Sequence, residues 1–239
     1  METKLEQYII LRSEEFRFLA SMAGIKRFFA LQLLEEELEE EQNAYLILHR
    51  MVEKGFFSYS GENQTTFSLL EPYRGIVRTL QKVEKVIDIR RPDGRHLCVY
   101  LADRVVTMEE SERDHGAVRV ALYEKPEWKE ILSAKEFLPV QPLGEDIAAF
   151  QSKEEMLALL EQKHADFEYP ESMGYEFSCY ELSEKQVAKA EIISVFPMPV
   201  NYWLEKKQGD DKTYELYTEK RLWELLLESS LKEAEEELK

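Results

Sequence analysis

A chain of 239 residues with 44% hydrophobic and 11% aromatic side chains has the material for a buried core, which excludes wholesale disorder. Its 48 acidic against 31 basic side chains leave a net charge of −17, a field that repels phosphate backbones and anionic lipid. Nucleic acid and membrane surfaces are thus expected to be poor partners, and a basic or neutral protein a better one. No run approaches 18 consecutive apolar residues, and the start METKLEQYIILRSEEF lacks both a positive n-region and a long h-region. Neither a membrane span nor a signal peptide is expected, and the protein is placed in the cytoplasm.

In chain order, the first segment (about 8–82) reads as helical with one hairpin. Ser13 is positioned to cap a helix whose first turn holds Glu14 and Glu15 against the positive dipole end, and Gly24 stops it. A second helix is predicted over 34–54, with Gly55 as its stop. The alternating runs 56–60 and 65–69 then flank a Gly-Glu-Asn turn, and a helix over 71–82 follows. This outline is that of a winged helix. From residue 84 the period becomes two. Strands are predicted at 86–89, 96–101, 104–108 and 117–123, the first pair joined by Pro92-Asp93-Gly94 and the second by 109–116. A helix begins near Pro126 and runs to about 136.

The stretch 139–144 is the expected crossing between a first domain, 1–138, and a second, 139–239. In the second, Ser152 and Glu155 form a capping box for a helix, and 175–182 reads as a strand. Ser183 and Gln186 form another capping box, predicting a short helix to about 190. Strands at 192–196 and 200–205 surround Pro197-Met198-Pro199. A turn at 208–211 precedes the last strand, 213–217, and Thr218 caps a terminal helix over 219–238.

Two stretches about 95 positions apart repeat one pattern. Residues 117–132 (AVRVALYEKPEWKEIL) and 212–227 (KTYELYTEKRLWELLL) each run from a strand ending in Leu-Tyr to a helix holding a Trp. The Tyr–Trp spacing is one residue longer in the second copy. Two copies of strand–loop–strand–helix predict an α+β fold of quasi-twofold duplicated antiparallel-sheet and helix lobes behind the winged-helix-like segment.

Catalytic signatures are scarce. His49, His96, His115 and His164 stand alone, without HxxxH or HExxH spacing, and no GxGxxG, Walker A or GxSxG occurs. Cys98 and Cys179 lie in apolar strand contexts as small hydrophobes. No metal, cofactor or enzymatic activity is expected. Nor does the winged-helix outline read DNA easily. Residues 1–80 carry nine basic against thirteen acidic side chains, and Glu35, Glu36, Glu37, Glu39, Glu40 and Glu41 crowd the start of the would-be recognition helix.

Two candidate contact surfaces remain. Glu109, Glu110, Glu112, Arg113 and Asp114 concentrate charge on a hairpin connection, which is either a docking loop or a solvated tip. The run 195–203, with Phe196, Met198, Tyr202 and Trp203, is unusually apolar for a connection holding two prolines, and is either a protein-binding patch or a sheet interior. On the last helix, Trp223, Leu227, Leu231, Ala234 and Leu238 make a stripe that covers a sheet or receives a partner helix.

The order of these pieces resembles the EspG-type chaperones of bacterial type VII (ESX) secretion systems. Leu11-Arg12-Ser13-Glu14-Glu15-Phe16 is similar to the family's opening helix after a short Leu-rich strand. Met51-Val52-Glu53-Lys54-Gly55-Phe56-Phe57 is similar to its step from helix through Gly into a wing, and 69–80 to its helix before the first sheet strand. The resemblance implies a cytosolic, non-enzymatic protein that holds a helical export substrate of the WXG/PE/PPE kind, contacting it through the sheet and the loop that corresponds to 109–114. From a different class, the alternative is a winged-helix transcriptional regulator whose α/β portion senses a small ligand. A third, an enzyme with a site between the halves, would need a deep polar cleft.

Overall fold

The computed structural model describes residues 8–25, 40–60, 66–110, 116–139, 154, 158, 174–183, 186–197, 202–208 and 211–236. Among them are eleven strands and five helices in a mixed α+β arrangement. The strands are β1 (Tyr8–Arg12), β2 (Phe57–Ser60), β3 (Thr66–Leu69), β4 (Lys85–Arg90), β5 (His96–Leu101), β6 (Arg104–Glu110), β7 (Ala117–Glu124), β8 (Tyr175–Ser183), β9 (Gln186–Pro197), β10 (Tyr202–Gln208) and β11 (Asp211–Leu216). The helices are α1 (Ser13–Met22), α2 (Glu40–Glu53), α3 (Tyr73–Gln81), α4 (Trp128–Ala134) and α5 (Glu219–Glu236). The chain divides into two compact units, residues 1–86, 97–128 and 182–186 in one and 87–96, 129–181 and 187–239 in the other. They are not consecutive stretches, since β4 begins in the first unit and ends in the second. The first residues (34–39) of the second expected helix, the turn expected at 61–63, and His115 and His164 lie outside the described residues, as does all but residues 154 and 158 of the helix expected after Ser152.

In the first unit the sheet runs β1-β7-β6-β5 and on into the start of β4. Every register recorded there is antiparallel, with Ile10 opposite Arg119, Val106 opposite Leu122 and Val99 opposite Thr107. β5 and β6 are buried along nearly their whole length, as strands covered on both faces must be. β2 and β3 form a separate two-stranded hairpin, Phe57 opposite Leu69, as their alternation predicts. Leu11, Phe16, Leu19, Met51, Ile76 and Leu80 join the strand side chains in the core. The Phe16 and Tyr100 rings meet at 5.8 Å, and Phe56 stacks on Tyr73 at 4.0 Å. Gly24 and Gly55, both at positive φ, end α1 and α2 as the sequence predicts.

Ser13 does not cap α1. It is the first helical residue, and its N–H and its hydroxyl both donate to the Gly116 carbonyl, each at 2.9 Å. The capping acceptor is Glu15, which takes the Arg12 N–H at 2.9 Å and Lys54 Nζ at 2.5 Å while wholly excluded from solvent. One carboxylate thereby joins the start of α1 to the segment that ends α2. It also lies close enough to Tyr73, at the start of α3, to add to the burial that raises that phenol's pKa.

In the second unit the remainder of β4 is followed by β8-β9-β10-β11. The registers recorded are again antiparallel, Trp203 lying opposite both Phe196 and Leu216. Here one expectation is overturned. The short helix assigned from Ser183 and Gln186 is instead the first part of β9, a strand of 12 residues. Glu191, Ile193 and Val195 are buried while Ala190 and Ile192 are exposed, the two-residue period of a strand. At the mouth of β8, Gly174 packs so closely on β9 that a Cβ there would stand 2.9 Å from the Val195 carbonyl oxygen.

Two stability predictions follow from these contacts. Lys54 is 43% exposed and can turn into water, whereas Glu15 cannot, so breaking the pair from its two ends costs different amounts. Lys54→Met strands a buried carboxylate and is expected to cost about 3 kcal/mol, against about 1 kcal/mol for Glu15→Gln, read as urea midpoints at equal slope. Gly174→Ala is expected to cost about 1–3 kcal/mol in the same assay, because the obstructing atom is backbone.

Candidate protein-binding surfaces

The β6–β7 hairpin carries the first candidate surface. β6 extends to Glu110, so the connection starts at residue 111 and Glu109 does not belong to it. Glu109 is a buried strand residue facing Arg119 across the ladder, with 3.7 Å between Oε1 and Nη2. Its carboxylate is part of the sheet. Glu110, the last residue of β6, is exposed. Glu112, Arg113 and Asp114 lie outside the described residues. Gly116 closes the hairpin, and its carbonyl is the acceptor that anchors Ser13. The two described ends of the connection are therefore fixed, Glu110 by the β6–β7 ladder and Gly116 by the start of α1.

The second candidate surface is resolved differently. Phe196 and Trp203 are buried and paired across β9 and β10, so the apolar run is sheet interior at both of these positions. Met198 lies outside the described residues. Tyr202, opposite Pro197 in the ladder, is half-buried and keeps part of its surface in solvent.

Around Tyr202 the second unit gathers polar aromatic groups that the sequence reading missed. The Tyr202 and Tyr217 rings meet edge to face at 6.0 Å, and the Tyr217 hydroxyl donates to the Pro139 carbonyl at 3.0 Å. Burial, then Glu219, Tyr175 and Tyr202, raises the Tyr217 pKa far above its ordinary value. Tyr175 is also raised, by burial against the opposing pull of Arg91. Arg91 and Arg95 sit 5.7 and 5.1 Å from the Phe137 ring centroid, and Arg91 also bonds Asp93, Glu136 and the Lys135 carbonyl. One signal could have revealed the platform: Arg91-Pro92-Asp93-Gly94-Arg95 places an arginine on each side of a tight turn. Its charges are largely matched within the cluster, so it reads as a structural clamp.

The histidines follow the same logic. His49 is exposed on α2 beside Glu53, and His96 contacts the buried Asp88 carboxylate across the β4–β5 turn. No group of three or more His, Cys, Asp or Glu with metal-holding geometry exists among the described residues. Cys98 and Cys179 are buried and form no disulfide. No described helix is long and apolar enough to cross a membrane. No model of a known protein family matches the chain, and no curated protein matches it either.

The tyrosines set an alkaline limit on the second unit. A phenol whose folded pKa is raised stabilises the fold fully below its unfolded pKa of about 10, and that contribution is lost as pH climbs above it. Stability is expected to fall from about pH 10 upward. Tyr217→Phe should lower the urea midpoint at neutral pH by the equivalent of about 1 kcal/mol, through the lost hydrogen bond, while making the alkaline decline shallower.

Proposed function

We propose that this chain is a cytosolic adaptor of the EspG kind, a non-enzymatic chaperone that binds a helical type VII secretion substrate and keeps it competent for export. The observation that carries the reading is the anchored acidic hairpin. Glu110 projects from a ladder that is buried up to Glu109, and Ser13 ties the far side of the connection to α1. Glu110, held by the β6–β7 ladder, loses little conformational freedom on binding, which favours its use as a contact. Reversible capture of this kind needs no covalent chemistry. A 1:1 complex burying roughly 1,600 Å² in total would suit it.

The finer features of the fold belong to the same reading. β4 to β7 and β8 to β11 are each four consecutive neighbouring strands followed by a helix, and each last strand leads through Leu-Tyr to a buried Trp. This supports an internal duplication, as in the quasi-twofold EspG layout. The order α1, α2, β2–β3 supports a winged-helix-like segment used for packing, since Ile47, Met51, Phe56 and Phe57 are all buried.

The test is co-expression of the full chain with small helical WXG, PE or PPE-type proteins from type VII loci of its host. A stable 1:1 complex is expected. Combined Glu110→Lys, Glu112→Lys and Asp114→Lys should weaken it at least about tenfold, chiefly by slowing association, with the urea midpoint unchanged. Absence of any complex, or one indifferent to the reversal, overturns the proposal.

A further inference from the structure

Residues directly opposite each other in a ladder share a face of the sheet, so Ile10, Arg119 and Glu109 form one row across β1, β7 and β6. Tyr8 and Arg12, two positions to either side of Ile10, point to the same face. Tyr8 and Ile10 are 48% and 56% exposed, and Arg12 is exposed beside them. The edge of β1 is closed where the Arg12 N–H is donated to Glu15, but contact on this face needs side chains alone. Arg119, next to Ile10, keeps 30% of its side chain in solvent. Its Nε is sealed off without an acceptor, and the Glu109 carboxylate stands 3.7 Å from Nη2, beyond hydrogen-bond reach. A guanidinium offers five donors in a planar fork that matches a carboxylate, and here that capacity is left under-used.

We infer that this face binds a partner polypeptide through an acidic side chain set between apolar ones. The carboxylate meets Arg119 and Arg12, and the apolar groups cover Ile10 and Tyr8. Charge selects the anion. Two guanidiniums against the single Glu109 carboxylate leave the row locally positive, in a chain whose net charge is −17. One carboxylate neutralises that excess, whereas the second charge of a phosphate would be repelled by Glu109. The apolar side chains select the setting. From Tyr8 to Arg12 the strand covers about 13 Å, a length that suits a short run of side chains from another polypeptide. This site is distinct from the acidic hairpin, because Glu110 lies opposite Val118 and so points to the other face of the sheet. The inference therefore does not rest on the adaptor reading.

Methyl NMR of the full chain, labelled at the isoleucine δ1 carbons, reads the site through Ile10. The probe is the peptide acetyl-Ala-Leu-Glu-Leu-Ala-amide, and the control is the same peptide with Gln in place of Glu. A saturable shift of the Ile10 methyl is expected with the acidic peptide, and binding at least about tenfold weaker with the neutral one. Arg119→Lys keeps the charge but loses the fork, and Arg12→Gln removes one cation, so each should weaken the acidic peptide several-fold. Tyr8→Ser should weaken both peptides alike. Because Arg119→Gln alone would strand the buried Glu109, it is combined with Glu109→Gln, and urea midpoints check that every variant is folded. The double variant should lose most of the preference for Glu over Gln. Equal binding of the two peptides, a preference that the double variant keeps in full, displacement by equimolar inorganic phosphate, or the lack of any saturable Ile10 shift overturns the inference.

Discussion

The helical part of the first unit is organised around one carboxylate that has no access to water. An isolated ionised carboxyl in that position would cost several kcal/mol, so the chain must bring donors to it. Glu15 meets the demand with the Arg12 N–H and the Lys54 ammonium, and these two groups come from the beginning and the end of the helical pair. This constrains the connectivity. Strand β1 passes into α1 with no intervening loop, because the N–H offered to Glu15 is that of the last strand residue. Likewise α2 must stop where it does, so that Lys54, one residue beyond the helix, can reach inward before Gly55 turns the chain into the β2–β3 hairpin.

The second unit is held by a different kind of interaction. Its polar groups are phenols and guanidiniums laid against rings, with the carboxylates as outer partners. Neutral at ordinary pH, the buried Tyr217 hydroxyl needs only one acceptor and finds it in the Pro139 carbonyl. The cross-strand charges Lys206–Glu191 and Lys212–Glu205 add register without lowering the unit's acidity, since each pair sums to zero. The strongly negative balance of the chain is thus carried by acidic groups beyond these pairs.

Much of the fold was legible because its signals are local. Gly24 and Gly55 ended helices, Pro92-Asp93-Gly94 turned β4 into β5, and Thr218 caps the last helix by accepting the Arg221 N–H at 3.0 Å. What escaped depended on partners distant in sequence. Ser183 and Gln186 satisfy the arithmetic of a capping box, yet β8 and β9 are ladder neighbours, and that pairing outweighs the propensity of five residues. Ser13 likewise finds an acceptor 103 positions away. Glu109 looked like loop because it is charged. It is buried because Arg119 lies directly across the ladder, a fact fixed by register and invisible to composition. Of the residues proposed for contact, Glu110 and Tyr202 retain exposure, while Phe196 and Trp203 are core. Apolarity alone could not separate the two outcomes where the buried Phe196 and Trp203 sit beside the partly exposed Pro197 and Tyr202.

The repeated Leu-Tyr…Trp pattern shows how one extra residue can preserve packing while changing local structure. In the first copy Tyr123 is still within β7, and the helix opens with Trp128 as its first residue. In the second, β11 ends two residues earlier in the pattern, at Leu216. The Tyr217 N–H donates to the Tyr202 carbonyl, Thr218 caps, and Trp223 falls in the second turn of α5. Both Tyr–Trp pairs are nonetheless buried. The added residue is absorbed by starting the helix earlier, which winds the indole back onto the inward side and lets its N–H donate to Glu219 one turn before it. In both stretches, then, the tyrosine at the end of the strand and the tryptophan on the helix are buried, while the backbone path between them differs.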